Sequence, residues 1–220
     1  MCLAQTGAVG QHWRRTMCIK GPDVTDKPLK TIAETLGEMT GKLLVAMPGM
    51  GDPRFDQSVV FLCEHSAKGA MGLIINKRAS GMALGDVLAQ LDVDVAGHVK
   101  GLPVYFGGPV EVARGFVLHS PDFQSSLQTV NVGDEFAMTV TMDVLEEIGK
   151  GVGPKDAQMM LGYAGWGPDQ LENEIAQNGW LICDATRDLV FGAQDSTKWA
   201  QALASMGLDP LTLSPTAGRA

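Results

Sequence analysis

The chain has 220 residues, of which 45% are hydrophobic and 19% charged, a balance typical of a soluble globular protein with a sizeable core. Its 25 acidic residues outnumber its 17 basic residues and give a formal net charge of −8. This charge argues against direct nucleic-acid binding, because affinity for DNA depends mainly on Lys and Arg side chains that neutralise phosphates.

The chain also lacks the apolar segments that membrane insertion or secretion requires. No apolar run approaches the roughly 18 residues of a transmembrane helix. The first 20 residues are interrupted by His12, Arg14 and Arg15, so they do not form the apolar region of a secretory signal. We therefore expect a cytoplasmic protein with no membrane contact.

The first part of the chain differs in composition from the rest. Residues 1–37 are polar and contain Gly10, Gly21, Pro22 and Pro28. From Gly41 onwards, short apolar runs alternate with turn signals. We expect a mobile N-terminal arm over residues 1–37 and one α+β domain over residues 38–220.

The first half of this domain is rich in predicted strands. The run "KLLVAM" predicts a strand that ends at Pro48-Gly49, and "SVVFLCEHS" and "AMGLIIN" predict a hairpin. In "LGDVLAQL" the apolar residues have helical spacing. Further strands are predicted by "LPVYFGGPV", "RGFVLHS", "SLQTVNV" and "EFAMTVT", the last two joined by a turn at Gly133-Asp134.

The last third alternates between predicted helices and strands. "MDVLEEIGKG" predicts a helix that Thr141 or Asp143 opens and Gly149 stops. "PDQLENEIAQN" and "DSTKWAQALASMG" predict two more helices, the latter capped by Asp195 or Ser196. "AQMMLGYAG", "WLICDA" and "DLVFG" predict strands. Because the strands come in hairpins, antiparallel pairing is expected to dominate.

The glycine-rich stretch "GYAGWG" at residues 162–167 superficially resembles a phosphate-binding loop before a helix. Pro168 is predicted at the first helical position, where it removes one N–H donor. Asp169, Glu172 and Glu174 then add negative charge, and no Lys-Ser/Thr pair follows the glycines. We interpret the glycines as residues that let the chain turn past Tyr163 and Trp166, and we predict no nucleotide or other cofactor.

Several long motifs in series resemble the YqgE/AlgH family of bacterial proteins. They are "GKLLVAMPGMGDPRFDQSVVFLCEHSAKGAMGLIINK", "VYFGGPV", "GFVLHS", "LGYAGWGPDQLENEI", "NGWLICDA" and the closing "KWAQALASMGLDPLTLSPTAGRA". The resemblance implies an α+β fold whose largely antiparallel, bifurcated sheet curls into a flattened pseudo-barrel flanked by helices. It also implies a bacterial cytoplasmic protein. One branch of the family carries the label of transcriptional regulator, although this chain shows no DNA-binding motif.

Two cysteines and two histidines are the candidates for a catalytic role. Cys63 and Cys183 lie in apolar runs and are expected to be buried free thiols. Cys63 and His65 are two apart on a predicted strand and hence on the same face. Neighbours of this kind are poorly placed to hydrogen-bond, so a structural role is favoured over a Cys–His nucleophile.

His65 and His119 both end apolar strands, in "EHS" and "LHS". Converging strand ends would bring the two imidazoles together with Glu64, Asp122 or Asp184 as an acid–base pair. The ligand spacing of a metal site is missing, so no metal is predicted.

Loops at element ends commonly line pockets. We therefore hypothesise that one ligand or partner cleft is bordered by His65, Asn76, Gly107, Gly108, His119 and Trp166. The alternative for each residue is that it shapes a turn or fills the core.

The sequence is compatible with two functions. The first is a non-enzymatic binding or regulatory protein that contacts a protein or small-molecule partner, since no complete catalytic motif is present. The alternative is a hydrolase or transferase that uses a His65/His119 cleft.

Overall fold

The computed structural model describes residues 38–125 and 127–213, and the expected arm over residues 1–37 lies outside them. Over the described residues, ten strands form one sheet. They are β1 (Lys42–Ala46), β2 (Val59–Ser66), β3 (Gly69–Ile74), β4 (Arg78–Ala83), β5 (Pro103–Phe106), β6 (Val110–His119), β7 (Thr129–Val132), β8 (Phe136–Thr139), β9 (Ala157–Trp166) and β10 (Trp180–Asp184).

Four α-helices flank this sheet in the described ranges. They are α1 (Leu84–Gln90), α2 (Met142–Lys150), α3 (Gln170–Ala176) and α4 (Asp195–Ser205). Single 3₁₀ turns lie at Pro53–Phe55 and Pro210–Thr212, and a π-helical turn lies at Asp188–Gly192. No helix of the described segments is long and apolar enough to cross a lipid bilayer.

The strand order is β10-β1-β2-β3-β9-β6-β8-β7, with β5 attached to β9 and β4 attached to β5. The β5–β9 pair is parallel, whereas the other strand pairs of the described chain are antiparallel. The predicted α+β class with a largely antiparallel sheet is therefore confirmed.

The sheet divides at β9, because one edge of this strand has two successive partners. Its first half pairs with β5 through Met159–Leu161, and its second half pairs with β3 through Ala164–Trp166. Gly162 lies between the two halves with φ +71°, a conformation that an L side chain rarely adopts. The implied bifurcation therefore depends on a glycine of the "GYAGWG" stretch.

Three hydrophobic clusters pack around the sheet. The largest contains Phe61, Leu118 and Met160 and is covered by α4 through Trp199 and Leu203. A second cluster lies beneath α3, and a third lies beneath α1 and α2. Both faces of β2 are buried from Val59 to Cys63, which explains the unbroken apolar sequence of this part of the strand.

Several local predictions are wrong. "DLVFG" is a helical turn and not a strand, because Leu189 and Val190 enter the core from one turn. A short apolar run cannot distinguish these two states. Helix α2 continues through Gly149 to Lys150 and is capped by Gly151 (φ +79°). Gly149 lies against the backbone of Asp94, where an added Cβ would come within 2.8 Å of the carbonyl oxygen.

Two helix starts also differ from the prediction. Helix α3 begins at Gln170, after Asp169 in a left-handed conformation, so Pro168 lies outside it. In α4, Asp195 lies in the first turn and Gln194 precedes the helix. The sequence does not predict strand β4, because "RASGMA" is mostly exposed and carries no alternating pattern.

Candidate functional site

His65 lies against helix α3 and not beside Cys63. A β-bulge between Leu62 and Glu64 inserts one extra residue into β2. Cys63 follows Val59 and Phe61 into the largest core cluster, whereas His65, beyond the bulge, pairs with Ala70 on the opposite face. The predicted shared face of Cys63 and His65 is wrong for this reason.

The hydrogen bonds of His65 define its tautomer. The backbone N–H of Met39 donates to Nδ1 at 3.3 Å, so the ring proton is on Nε2. Nε2 then donates to Glu172 Oε1 at 2.9 Å. The two side chains are only 6% and 8% exposed. This contact joins β2 to α3 and leaves neither ring nitrogen free for a substrate.

Trp166 is held by the same helix. Its indole N–H donates to Glu174 Oε2 at 2.9 Å, and the indole of Trp180 donates to the same oxygen at 2.8 Å. The two rings meet edge to face with centroids 5.9 Å apart. Glu172 and Glu174 of "LENEI" thus join helix α3 to the sheet, since each accepts a hydrogen bond from at least one side chain of a strand.

The loop before α3 also has a hydrogen-bond acceptor nearby for one of its backbone N–H groups. The N–H of Gly167 donates to the side chain of Gln170 at 3.1 Å. Helix α3 has only seven residues, and Glu172 lies in its first turn. These contacts support the structural interpretation of "GYAGWG" over anion binding.

Asn76, Gly107 and Gly108 shape the centre of the sheet. Asn76 accepts from the N–H of Val59 at 2.9 Å and donates to the carbonyl of Gln57 at 2.9 Å. A Cβ at Gly107 would lie 2.2 Å from the carbonyl oxygen of Gly162, and one at Gly108 would lie 2.1 Å from the backbone of Tyr163. These glycines permit close backbone contact at the division of the sheet.

His119 is fully buried and hydrogen-bonded at both ring nitrogens. Nδ1 donates to the carbonyl of Ser120 at 2.7 Å, and Nε2 accepts from Thr139 Oγ1 at 2.9 Å. Thr129 donates in turn to Thr139 at 2.8 Å. Burial lowers the pKa of His119 below its ordinary value. The ring is therefore a neutral core group at physiological pH.

The two histidines lie at opposite ends of β9. His119 pairs with Ala157, and Ala70, the partner of His65, pairs with Trp166. At about 3.3 Å per residue, these ends are roughly 30 Å apart along the strand. The hypothesis of one cleft containing both histidines is therefore wrong. His65 and Trp166 both bond to helix α3, and Ile74, two residues before Asn76, donates to the carbonyl of Gly107. Both groups are separated from His119.

Two of the three carboxylates considered with these histidines, Asp122 and Asp184, have other partners. Asp122 accepts from the hydroxyl of Ser120 at 2.5 Å, and Asp184 pairs with Lys42. Across residues 38–125 and 127–213, no three His, Cys, Asp or Glu side chains are arranged to hold a metal ion.

An apolar groove of about 400 Å³ lies on another part of the surface. It is bordered by β4, α1, β6 and α2. Its rim carries Met82, Leu91, Val112 and Met142, which are 36–57% exposed. Its floor contains Val117, Leu145, Met159 and Leu161. Large apolar side chains that share one concave surface indicate an interaction site.

Strand β6 adds an unpaired backbone edge to this groove. Its pairing with β9 passes from Val110 directly to Gly115, and its pairing with β8 begins only at Val117. Residues 111–114 thus have no ladder partner among the described strands. Glu111, at φ +46°, begins this irregular stretch. An exposed edge of this kind can pair with an added strand.

Sequence reasoning missed the apolar groove. Its rim residues come from four separate segments, and none of them belongs to a recognisable motif. Isolated exposed apolar residues are common on protein surfaces. Only the fold shows that these four share one concavity.

Comparison with known proteins identifies the family. A family model described as AlgH-like matches residues 43–211. The chain belongs to the AlgH-like family. Two UPF0301 proteins are close AlgH-like relatives. The protein of Ruegeria pomeroyi is 55% identical over 83% of this chain and 100% of its own length. That of Paracoccus denitrificans is 50% identical over 83% and 97%.

Two solved structures share the fold of this AlgH-like chain. The solution structure of the AlgH protein from Pseudomonas aeruginosa has 39% identity and a TM-score of 0.69, covering 87% of this chain and 100% of that one. A crystal structure of a protein from Corynebacterium diphtheriae has 22% identity and a TM-score of 0.63, covering 84% and 93%. The match to AlgH confirms the curled sheet with flanking helices.

Proposed function

We propose that this AlgH-like protein is a non-enzymatic binding protein of the cytoplasm that regulates by docking a partner protein in the apolar groove. The partner contributes an extended apolar segment with basic flanking residues. Any effect on transcription then passes through this protein contact and not through direct binding of DNA.

The exposed rim of the apolar groove is the observation that carries the proposal. Met82, Leu91, Val112 and Met142 converge on one concavity of about 400 Å³. Covering such side chains removes apolar surface from water, which is the main driving force of protein association. The unpaired β6 segment beside them offers backbone hydrogen bonds to a strand-like partner.

Charge supports the basic character of the partner. Asp92 directly follows Leu91, and Glu111 directly precedes Val112. The one neighbouring cation on β6, Arg114, pairs with Glu111 at 3.0 Å and lies over the ring of Phe116. A partner with Lys or Arg beside its apolar residues would complement this rim.

The described side chains do not favour the catalytic alternative. His65 and His119 are occupied by structural hydrogen bonds at opposite ends of β9. Burial raises the pKa of the Cys63 and Cys183 thiols, which therefore stay protonated and weakly nucleophilic. Both cysteines are buried and free, as the sequence predicts.

The test uses two matched substitutions. Val112→Lys places a positive charge on the rim of the apolar groove, and Val152→Lys makes the same change at a residue of similar exposure outside it. Val112 is 57% exposed and Val152 is 66% exposed. Tagged wild type and both variants are used to capture proteins from the cytosol of the source bacterium, with quantitative mass spectrometry as the readout.

We expect the wild type and Val152→Lys to retain the same partner, and Val112→Lys to lose it by at least about tenfold, because the new ammonium lies against the basic residues of the partner. A synthetic peptide from that partner should bind with the same ranking. Equal capture by all three proteins contradicts docking in the apolar groove. Turnover of a substrate by the purified protein contradicts the non-enzymatic function.

A further inference from the structure

A segment of this chain has the same chemistry as the partner proposed for the apolar groove. It is "WRRTMCIK", residues 13–20, called the basic segment below. Apolar residues 17–19 form its centre, with Arg14-Arg15 before them and Lys20 after them. The basic segment is thus an apolar stretch with basic residues on both sides.

Charge is divided unequally between the N-terminal residues and the domain. Residues 1–37 contain five of the 17 basic residues and three of the 25 acidic residues, which gives a net charge of +2. Residues 38–220 contain the other 12 basic and 22 acidic residues, a net charge of −10. The field of the domain therefore attracts the N-terminal residues.

The rim of the apolar groove is itself negatively charged. Four exposed carboxylates are each adjacent in the sequence to a residue that lines the groove: Asp86, Asp92, Glu111 and Glu146. Among the sequence neighbours of the lining residues, Arg114 is the one cation, and it pairs with Glu111 at 3.0 Å. The basic residues on both sides of an apolar centre complement this arrangement.

The alternation of the basic segment suits a strand added beside β6. Residues 111–114 have no ladder partner among the described strands, so their backbone groups can pair with an extended segment. In an extended conformation, Trp13, Met17 and Ile19 share one face. Arg15 belongs to the same face, and its long apolar stem lets the guanidinium reach past the rim to solvent. This face can therefore cover the apolar groove.

The chain is long enough to bring the basic segment to the apolar groove. Met39 donates to His65, whose partner on β3 pairs with Trp166 of β9. Leu161, in the floor of the groove, lies five residues before Trp166 on the same strand, or about 17 Å away. The 18 residues 21–38, which follow the basic segment, span up to about 60 Å when extended. This length exceeds the distance to be covered.

From these features, and resting on the docking function proposed above, we infer that the basic segment occupies the apolar groove of its own chain when no partner is bound. The partner must displace it, because both use the same apolar rim and the same edge of β6. Tethering gives the segment an effective concentration on the order of millimolar, so a weak contact is enough to fill the groove. The basic segment thereby sets the affinity that a partner has to exceed.

Disulfide trapping in the full-length chain tests this occupancy, because the basic segment carries a thiol at Cys18. Cys2→Ser removes the other cysteine of residues 1–37, and the cysteines of the described chain are buried. Val112→Cys then places a thiol on the rim of the apolar groove, and Val152→Cys places one at similar exposure outside it. Each protein is oxidised at micromolar concentration, and mass spectrometry of its peptides quantifies the links to Cys18 over time.

We expect Cys18 to link to residue 112 at least about tenfold faster than to residue 152, since docking raises the local concentration of one thiol beside the other. Replacing both Met17 and Ile19 by Asp should abolish this preference. With the native cysteines, the same double substitution should increase capture of the partner at least about twofold, the factor for a groove closed in half of the molecules or more.

Two results of the trapping experiment would overturn the inference. One is an equal rate of linkage from Cys18 to residues 112 and 152. The other is a link between two chains, detected by mixing isotope-labelled and unlabelled protein, which would place the basic segment on a second copy. Neither measurement needs a partner protein. The inference can therefore fail while Val112→Lys still loses the partner, and the docking proposal can fail while Cys18 still links to residue 112.

Discussion

His65 and Glu172 form a buried hydrogen bond of 2.9 Å that joins strand β2 to helix α3. Glu172→Ala would leave the N–H of His65 without an acceptor, at a cost of about 1–3 kcal/mol in the free energy of unfolding. Glu172→Gln keeps an acceptor oxygen in place and should cost less. Urea denaturation of both variants measures the difference. Asn173→Ala, on the exposed face of the same helix, is the control, and equal losses in all three variants would contradict the structural role.

Glu174 Oε2 accepts hydrogen bonds from the indole N–H groups of both Trp166 and Trp180. Glu174→Ala removes the acceptor of both Trp166 and Trp180, so we expect a loss of about 2–6 kcal/mol, twice that of one unpaired donor. Because both rings are also fluorophores, the emission of the folded state should change. Glu174→Gln should preserve most of the stability. A wild-type unfolding midpoint in Glu174→Ala would show that water replaces the carboxylate.

The sequence predicts those parts of this fold that depend on local pattern. The unbroken apolar run of β2 and the helical spacing in α1 identify these elements correctly. The bulge at Cys63 is not predictable, because it depends on how β2 meets β3. This one residue reverses the face of His65 and removes it from the predicted Cys–His pair.

The candidate sites depend still more on distant contacts. The apolar groove assembles residues from four segments, and the buried amide of Gln158 donates to the carbonyl of Val190, in a turn predicted as a strand. Lys198 occupies an ordinary position in an amphipathic helix, yet it is fully buried against the carbonyls of Ile75 and Val190. No local signal distinguishes it from a solvated lysine.

The buried His119 should make stability depend on acid pH. Burial lowers its pKa below the ordinary value of 6.5. As pH falls below about 6.5, the unfolded chain takes up a proton that the folded chain does not, so the free energy of unfolding decreases. His119→Gln removes this contribution, whereas His98→Gln, at an exposed site, retains it. Urea midpoints between about pH 5 and pH 8 provide the comparison. Parallel profiles for all three proteins would refute the assignment.

Lys198 should produce a second dependence at alkaline pH. Burial lowers its pKa from 10.5 to about 8. Between these values the unfolded chain binds the proton and the folded chain does not, so stability rises with pH across this window. Relative to Lys198→Met, the wild type should gain about 3 kcal/mol. Lys100→Met, an exposed lysine, should behave as wild type. If Lys198→Met shows the same rise, the ammonium is not buried in solution.

Gly162 is the position at which a substitution should disturb the division of the sheet most. It has φ +71°, and a Cβ there would lie 2.4 Å from the carbonyl oxygen of Gly108 and 2.8 Å from that of Val110. Gly162→Ala combines backbone strain with a clash against two backbone oxygens that no side-chain rotation relieves. We expect a loss of about 2–5 kcal/mol in the free energy of unfolding.

Gly97→Ala is the matched control, because Gly97 has no atom within 4 Å of an added Cβ. Its effect should stay within about 0.5 kcal/mol. Amide exchange adds a local readout, since Gly162→Ala should weaken protection in β3 and β5, which pair with the two halves of β9. A mild effect of Gly162→Ala would mean that β9 tolerates a regular strand through this point. In that case β3 and β5 would not need a glycine to share one edge, and the conformational role of the "GYAGWG" stretch would fail.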